Sequence, residues 1–478
     1  MMEEKTLFRR INSLILKGLS VCLVFAVLFI VVGPAYASQT AVVATVASDW
    51  SSGAHSVIPV DPVGGPRTAA NNLLPTISDI TVTAYGRYFY RIERYNADNV
   101  TKFDVSAPDT PIWQYSTLDQ GATTNNPQDL IFVSHEKAYL LRYGATTAWI
   151  VNPSATTEAD FKIGELDLSS YDDGDGYPEM HSGVIVGNKL FITLQRLTRA
   201  TWPDPWTTNT SYLAVFDIPT DTEINTGIPN PDGVLGILLP IRNLGAIQYL
   251  EANGTIYVQG VGRYGAEYTG GIASVDPGTY ATAMVLDDGD DTTHPYGNIS
   301  GMAIAAPTKG YFIGYAGWGD NTLYSFDPSV VNSPGTAIAG LEHKSIAGME
   351  SGVYLDEHDM LWVCNQTDAR VDILNTTNDT IDESVSTDLN PQRVVFTTEG
   401  SPGSGSGTGG SAGGCFITTI SNSPHGATQG AVLFSLLFGI CLVACFTWSG
   451  SRNKGRRDAS LQSMSKEKMR KAGMRTTF

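Results

Sequence analysis

From Gly352 to Asn375 the chain alternates short apolar runs with polar turns. Val353-Tyr354-Leu355 is followed by Asp356-Glu357-His358-Asp359, then by Met360 to Cys364; a break at Gln366-Thr367-Asp368 precedes Val371, Ile373 and Leu374, closing on Asn375. Short runs of β-branched and aromatic residues parted by turn-formers predict antiparallel strands joined by hairpins. One such sheet cannot bury both its faces alone, so the pattern asks for packed copies of itself.

The copies are marked by a hydrophobic residue followed by Asp or Asn at the end of a third strand. The mark recurs at Val60-Asp61, Phe103-Asp104, Val151-Asn152, Phe216-Asp217, Val275-Asp276, Phe326-Asp327 and Leu374-Asn375, at steps of 43, 48, 65, 59, 51 and 48 residues. Repeats of this length with four strands each predict an all-β, seven-bladed propeller. Six blades fall at 80–116, 129–168, 182–224, 246–286, 299–338 and 352–385. The uneven steps predict insertions in the loops of particular blades. The remaining blade lacks an innermost strand before Ala41. Asn390-Pro391-Gln392-Arg393-Val394-Val395-Phe396 supplies one, because it matches the opening of another blade at Asn126-Pro127-Gln128-Asp129-Leu130-Ile131-Phe132. The C-terminal strand is therefore expected to complete the N-terminal blade and close the ring, which removes exposed sheet edges.

The flanks read differently. Residues 1–37 have a basic start, an apolar stretch from Leu19 to Val32 and Ala35-Tyr36-Ala37 at the end, the pattern of a secretory signal peptide, with an uncleaved anchor as the alternative. Beyond the propeller at 38–397 comes a Gly/Ser-rich linker over 398–430. Residues 431–448 are apolar and just long enough for one transmembrane helix. The basic tail at 449–478 is placed in the cytoplasm by the excess of positive charge. The sequence thus predicts a single-pass membrane protein with its propeller outside the cytoplasm. The body from 38 to 448 carries 17 basic and 44 acidic side chains, a net −27, which repels phosphate backbones and argues against nucleic-acid binding. The five cysteines offer no pair placed to staple the body.

Candidate chemistry gathers where second strands meet third strands and where one blade leads into the next. Trp202, Trp206, Arg263, Tyr264, Tyr268 and Trp318 are expected on this loop rim, where aromatic and Arg side chains give rigid contact area for a carbohydrate, a peptide or an envelope protein. Asp172-Asp173-Gly174-Asp175-Gly176-Tyr177-Pro178-Glu179 and Asp287-Asp288-Gly289-Asp290-Asp291 are acidic loops of the same kind. Each fits a solvated turn. The first also fits a calcium site at Asp173, Asp175 and Glu179, since a hard cation needs several carboxylate oxygens converging from a tight turn. A third set, Asp79, Asp129, Glu179, His181, Gln248, Ser300, Glu350 and Arg393, is expected at the entry to the central channel, where acid–base or metal chemistry would make the protein a hydrolase. No nucleophile elbow, HExxH or phosphate-cradling Gly loop is present.

Val275-Asp276-Pro277 and Phe326-Asp327-Pro328, with Phe216-Asp217 more loosely, resemble the units of bacterial YncE-like or YVTN-type propellers over about residues 40 to 397. That resemblance implies a seven-bladed, exported protein, in families that include lactonase-like members. The segment Gly413-Gly414-Cys415-Phe416-Ile417-Thr418-Thr419, with the apolar span and basic tail after it, is similar to bacterial C-terminal sorting signals, which implies Cys415 as a processing or lipid-attachment point. Three functions stay open from sequence: a binding module, a metal-dependent lactonase-like hydrolase using the channel, and a purely structural envelope component.

Overall fold

The computed structural model describes residues 39–199, 206–348 and 351–398, with the backbone of a two-residue strand at Gly410–Ser411. The expected signal peptide, transmembrane helix, basic tail and Cys415 lie outside the described residues, as do Trp202 and Glu350. Among the described residues no helix is long and apolar enough to cross a membrane.

The described strands form seven four-stranded antiparallel sheets arranged as a propeller. Blade 1 combines Asn390–Thr398 with Gln39–Val46, Gly53–Pro59 and Ala70–Thr76; blade 2 is Ile80–Tyr85, Tyr88–Glu93, Asn99–Asp104 and Pro111–Ser116. Blade 3 is Pro127–Phe132, Ala138–Arg142, Thr147–Val151 and Lys162–Asp167. Blade 4 is Met180–Val186, Lys189–Leu194, Tyr212–Asp217 and Thr222–Glu223, with Ile237–Leu238 also pairing on its third strand. Blade 5 is Leu244–Leu250, Thr255–Gly260, Gly271–Val275 and Thr282–Asp287; blade 6 is Asn298–Ala306, Lys309–Gly317, Asp320–Phe326 and Thr336–Ala337. Blade 7 is Val353–Leu355, Met360–Asn365, Arg370–Asn375 and Thr380–Ser386. Each innermost strand neighbours those of the blades on either side, so the ring is continuous.

Closure follows the expected pairing. Ala41 lies opposite Phe396, Val42 opposite Val395 and Val43 opposite Val394, in antiparallel register. The two-residue side-chain period then divides one strand between two seams: Ala41 and Val43 pack toward blade 7 with Tyr354 and Trp362, while Val42, Ala44 and Val46 pack toward blade 2 with Ile80, Val82 and Phe89. The same happens around the ring. Among the described residues the buried apolar side chains form seven clusters, one at each seam. The core is therefore a circle of face-to-face sheet contacts, and both ends of the propeller are free for loops.

The Asp/Asn mark has a local cause. Its side-chain oxygen accepts backbone N–H groups two or three residues on, as from Ser106 to Asp104, Ser154 to Asn152, Thr220 to Asp217, Gly278 and Thr279 to Asp276, Ser329 to Asp327 and Thr377 to Asn375. This Asx turn starts the tight turn into the fourth strand. Cys364 is buried on the second strand of blade 7.

Candidate functional site

Alternating strand direction sends the connections between second and third strands, and those between blades, out of one end of each sheet. We refer to this end as the loop face and to the opposite end as the turn face. Among the described residues the large exposed aromatic side chains are Trp50, Tyr95, Trp206, Tyr264 and Trp318, from 36% exposed at Tyr264 to 82% at Trp318. All five lie between a second and a third strand, in blades 1, 2, 4, 5 and 6. Of the exposed aliphatic residues, Val63, Val330 and Val331 lie between third and fourth strands, on the turn face, while Ile77 lies between blades 1 and 2 on the loop face.

Two groups on the loop face are built rather than scattered. The first centres on Arg199, in the long connection of blade 4, where Leu197–Thr198 and Thr207–Thr208 pair as a small hairpin. Its guanidinium carbon lies 3.9 Å from the ring centre of Tyr177, 5.3 Å from that of Trp206 and 5.4 Å from that of Tyr143, all within cation–π reach. Arg199 Nε donates to Glu179 Oε1 at 3.0 Å, and its backbone N–H donates to Asp175 Oδ2 at 2.9 Å. Glu179 also accepts from the backbone N–H of Leu197 at 3.0 Å.

Glu179 itself stands in an unusual place. The residue just before the innermost strand is left-handed in blades 3 to 7, and elsewhere it is Asn126, Asn243, Gly297 or Gly352, residue types that take this conformation readily. Blade 4 has Glu179 there, at φ 48°, which costs on the order of 1 kcal/mol or more. Burial pushes its carboxyl up to about 8, against the downward pull of the Leu197 N–H and of Arg199. The cost is offset by the bond that fixes Arg199 among the three rings.

The second group spans blades 5 and 6. Tyr264 meets Tyr315 edge-to-face with centroids 4.8 Å apart, and Tyr268 stacks on His294 at 3.8 Å. Arg263 pairs with Glu267 at 3.4 Å, and Glu267 also accepts from Thr208 Oγ1 at 2.6 Å, which ties this loop to the blade 4 hairpin. Trp318 stands further out on blade 6.

The acidic loops divide. Asp173 and Asp175 come together with Asp172, their carboxylate oxygens within 4.8 Å of one another, while Glu179 turns to Arg199. Asp173 accepts from Thr198 Oγ1 and Asn209 Nδ2, so the cluster is knitted into the blade 4 connection. In the second loop Asp288 is buried against the backbone N–H of Gly270, and burial raises its carboxyl to about 7. Asp290 closes its own turn onto Thr292 and Thr293.

The channel residues are spread round the ring. Arg393 on blade 1 reaches Asp129 on blade 3 and Thr81 on blade 2, each at 3.4 Å. Gln248 on blade 5 exchanges two hydrogen bonds, both 2.8 Å, with the backbone of Ile304 on blade 6. His181 contacts Ser182 Oγ at 2.8 Å, and the Ser300 hydroxyl is buried. Asp79, just before the innermost strand of blade 2, is partly exposed on the loop face, where Arg94 holds it at 2.7 Å and reaches Gln128 at 3.1 Å.

No family model matches the chain, and no curated protein does. Solved structures do. A candidate 6-phosphogluconolactonase of Bacteroides uniformis shares 11% identity over 75% of this chain and 99% of its own, with a TM-score of 0.51. A second, from Bacteroides fragilis, shares 11% over 76% and 99% at 0.50, and a protein of Lactobacillus plantarum shares 12% over 75% and 99% at 0.50. The likeness establishes a shared propeller fold.

Sequence reasoning placed Trp206, Arg263, Tyr264, Tyr268 and Trp318 on the loop side and missed Arg199 and Trp50. Arg199 carries no motif; apart from Trp206 in its own connection, its partners Glu179 and Tyr143 are 20 and 56 residues away in sequence. Trp50 was legible, since it sits in the break between two recognised strands.

Proposed function

We propose that this chain is an extracytoplasmic binding module whose loop face takes a carbohydrate, a peptide or an envelope protein. The supporting observation is the confinement of the large exposed aromatics to second-to-third-strand connections, five blades contributing to one end of the ring. Flat side chains with few rotors lose little entropy on contact, and the Arg199 group is already ordered before any ligand arrives. The hydrolase reading stands lower because Arg393, Asp129 and Gln248 are engaged with neighbouring blades. Propeller architecture alone does not carry an activity. In this reading the Gly/Ser-rich linker, the apolar span and the basic tail display the module on the membrane, and the hydrophobic-Asp-Pro steps support kinship with YncE-like or YVTN-type propellers. The test is a glycan and peptide array probed with the full-length protein and with a Trp50→Ala, Trp206→Ala, Trp318→Ala variant. Binding by the parent and its loss in the variant support the reading; binding that survives all three changes refutes it.

A further inference from the structure

At three seams other than the closing one, the turn between the first and second strands of one blade sends a Lys to the turn between the third and fourth strands of the next. Lys137 of blade 3 meets Asp221 at 2.7 Å and Lys309 of blade 6 meets Asp379 at 2.6 Å, while Lys189 of blade 4 donates to the Pro277 carbonyl at 2.9 Å. Each is a self-contained cation clasp.

The seam where the chain's two ends meet is built from different chemistry. The corresponding turn of blade 7 offers Glu357 and His358, and blade 1 answers with Asp61. His358 Nε2 lies 3.1 Å from Asp61 Oδ1 and 4.0 Å from Glu357 Oε1, and the three ligand atoms lie within 4.8 Å of one another. Asp61 is one of the seven repeat marks, and in the other six the side chain caps its own turn; here its recorded partner is the His358 ring across the seam. Glu357 Oε1 is buried and accepts no hydrogen bond, an arrangement that is costly for a carboxylate oxygen unless a cation completes it. Arg67, on the turn after Asp61, is committed to Glu383 and the Val60 carbonyl.

The turn is also held so that these side chains are presented. Asp356 Oδ1 accepts from the backbone N–H groups of His358 and Met360, its Oδ2 accepts from Trp362 Nε1 at 2.8 Å, and the Glu357 N–H donates to Gln39 Oε1 at 3.1 Å. Asp356 thus does the turn's structural work, leaving Glu357 and His358 for another task.

We propose that Asp61, Glu357 and His358 form a binding site for a divalent first-row transition ion, clasping the propeller's closing seam. One imidazole nitrogen and two carboxylate oxygens are a donor set that suits Zn²⁺ and its neighbours Co²⁺, Ni²⁺ and Mn²⁺. Metal–ligand bonds of about 2.0–2.2 Å require the Glu357 oxygen to close on the other two donors, a movement that a rotation of the largely buried Glu357 side chain supplies. Three protein ligands leave a position for water. The ion takes the place that Lys holds at three other seams with a charge that two carboxylates can share, and because it binds the closed ring it stabilises that state by mass action.

The test uses untagged full-length protein stripped with chelator and titrated with Zn²⁺ in a calorimeter, with Co²⁺ absorption as a second readout and thermal unfolding as a third. The expected result is one ion per chain and a Tm that rises with Zn²⁺. His358→Gln and the near-isosteric Asp61→Asn and Glu357→Gln should each weaken binding by about tenfold or more and abolish the Tm rise, while Asp173→Asn in the distant acidic loop leaves both intact. Absence of binding by the parent protein for all four ions, or undiminished binding in a Glu357→Gln, His358→Gln double variant, overturns the proposal.

Discussion

The two ends of this propeller are made of the same strands and yet differ in kind. On the turn face, connections are marked by Asx turns and bonded from blade to blade through Lys137, Lys189, Lys309 and the Asp61–Glu357–His358 group. On the loop face, connections carry the long insertion of blade 4 and the exposed aromatic side chains. Blades are also bonded to one another at the loop face, as by Thr208–Glu267 and Arg94–Gln128, but only that face carries both the long insertion and the exposed aromatic side chains. A ring whose core lies in its seams can vary one rim without disturbing its packing, and the aromatic residues have accumulated where that freedom exists.

The comparison breaks most visibly if a seam residue and a rim residue respond alike to truncation. Trp362 is fully buried at the closing seam, edge-on to Phe396 at 5.5 Å and hydrogen-bonded to Asp356. Trp362→Ala should cost about 3–5 kcal/mol in urea unfolding, the range for deleting a buried aromatic side chain.

The seam between blades 1 and 2 adds a pH test. His55 is buried against Phe89 and Phe103; its Nε2–H donates to the Pro108 carbonyl at 2.7 Å and its Nδ1 accepts from Arg91 at 3.2 Å. The Arg91 contact requires an unprotonated Nδ1, and burial lowers the ring's pKa to about 4. The folded state therefore binds this proton less readily than the unfolded chain. Stability from His55 is present above pH 6.5 and is lost as pH falls toward 4, by roughly 3 kcal/mol. Denaturation midpoints measured across that range should decline, and His55→Leu should remove this part of the decline.

Smaller effects sharpen the contrast. Asp327→Ala removes the oxygen that accepts the Ser329 N–H and hydroxyl and should cost about 1 kcal/mol, read from a shift in the same urea midpoint. Trp318→Ala, at the other end of the same blade, should change that midpoint by no more than about 0.5 kcal/mol.

Much of the fold was legible because it is periodic. The first full blade was expected at 80–116, and its strands run from Ile80 to Ser116; the closing strand was expected beside Val42 to Val46, where the register puts Val395, Val394 and Arg393. Two-residue alternation and turn chemistry are local signals, and both are written in the sequence. The candidate site was less legible because it is assembled by ring geometry. Arg199 gathers Tyr143, Tyr177 and Trp206 from three separate connections, and nothing local announces that meeting. Asp79 and Asp129 occupy similar places in sequence, yet one faces solvent beside Arg94 and the other is buried beside Arg393. Glu179 was expected as a calcium or channel carboxylate; that it holds a left-handed position where blades 3, 5, 6 and 7 carry Asn or Gly, and spends its side chain on Arg199, emerges only from the fold.

The most direct test of a binding face opposed to a holding face is a paired affinity measurement with the best array ligand. Trp50→Ala, Trp206→Ala, Trp318→Ala on the loop face should raise Kd at least about tenfold, the equivalent of about 1.4 kcal/mol, while Val63→Ser, Val330→Ser, Val331→Ser on the turn face leaves Kd unchanged. Equal effects from the two triple variants, or a loss confined to the turn-face one, would contradict the account.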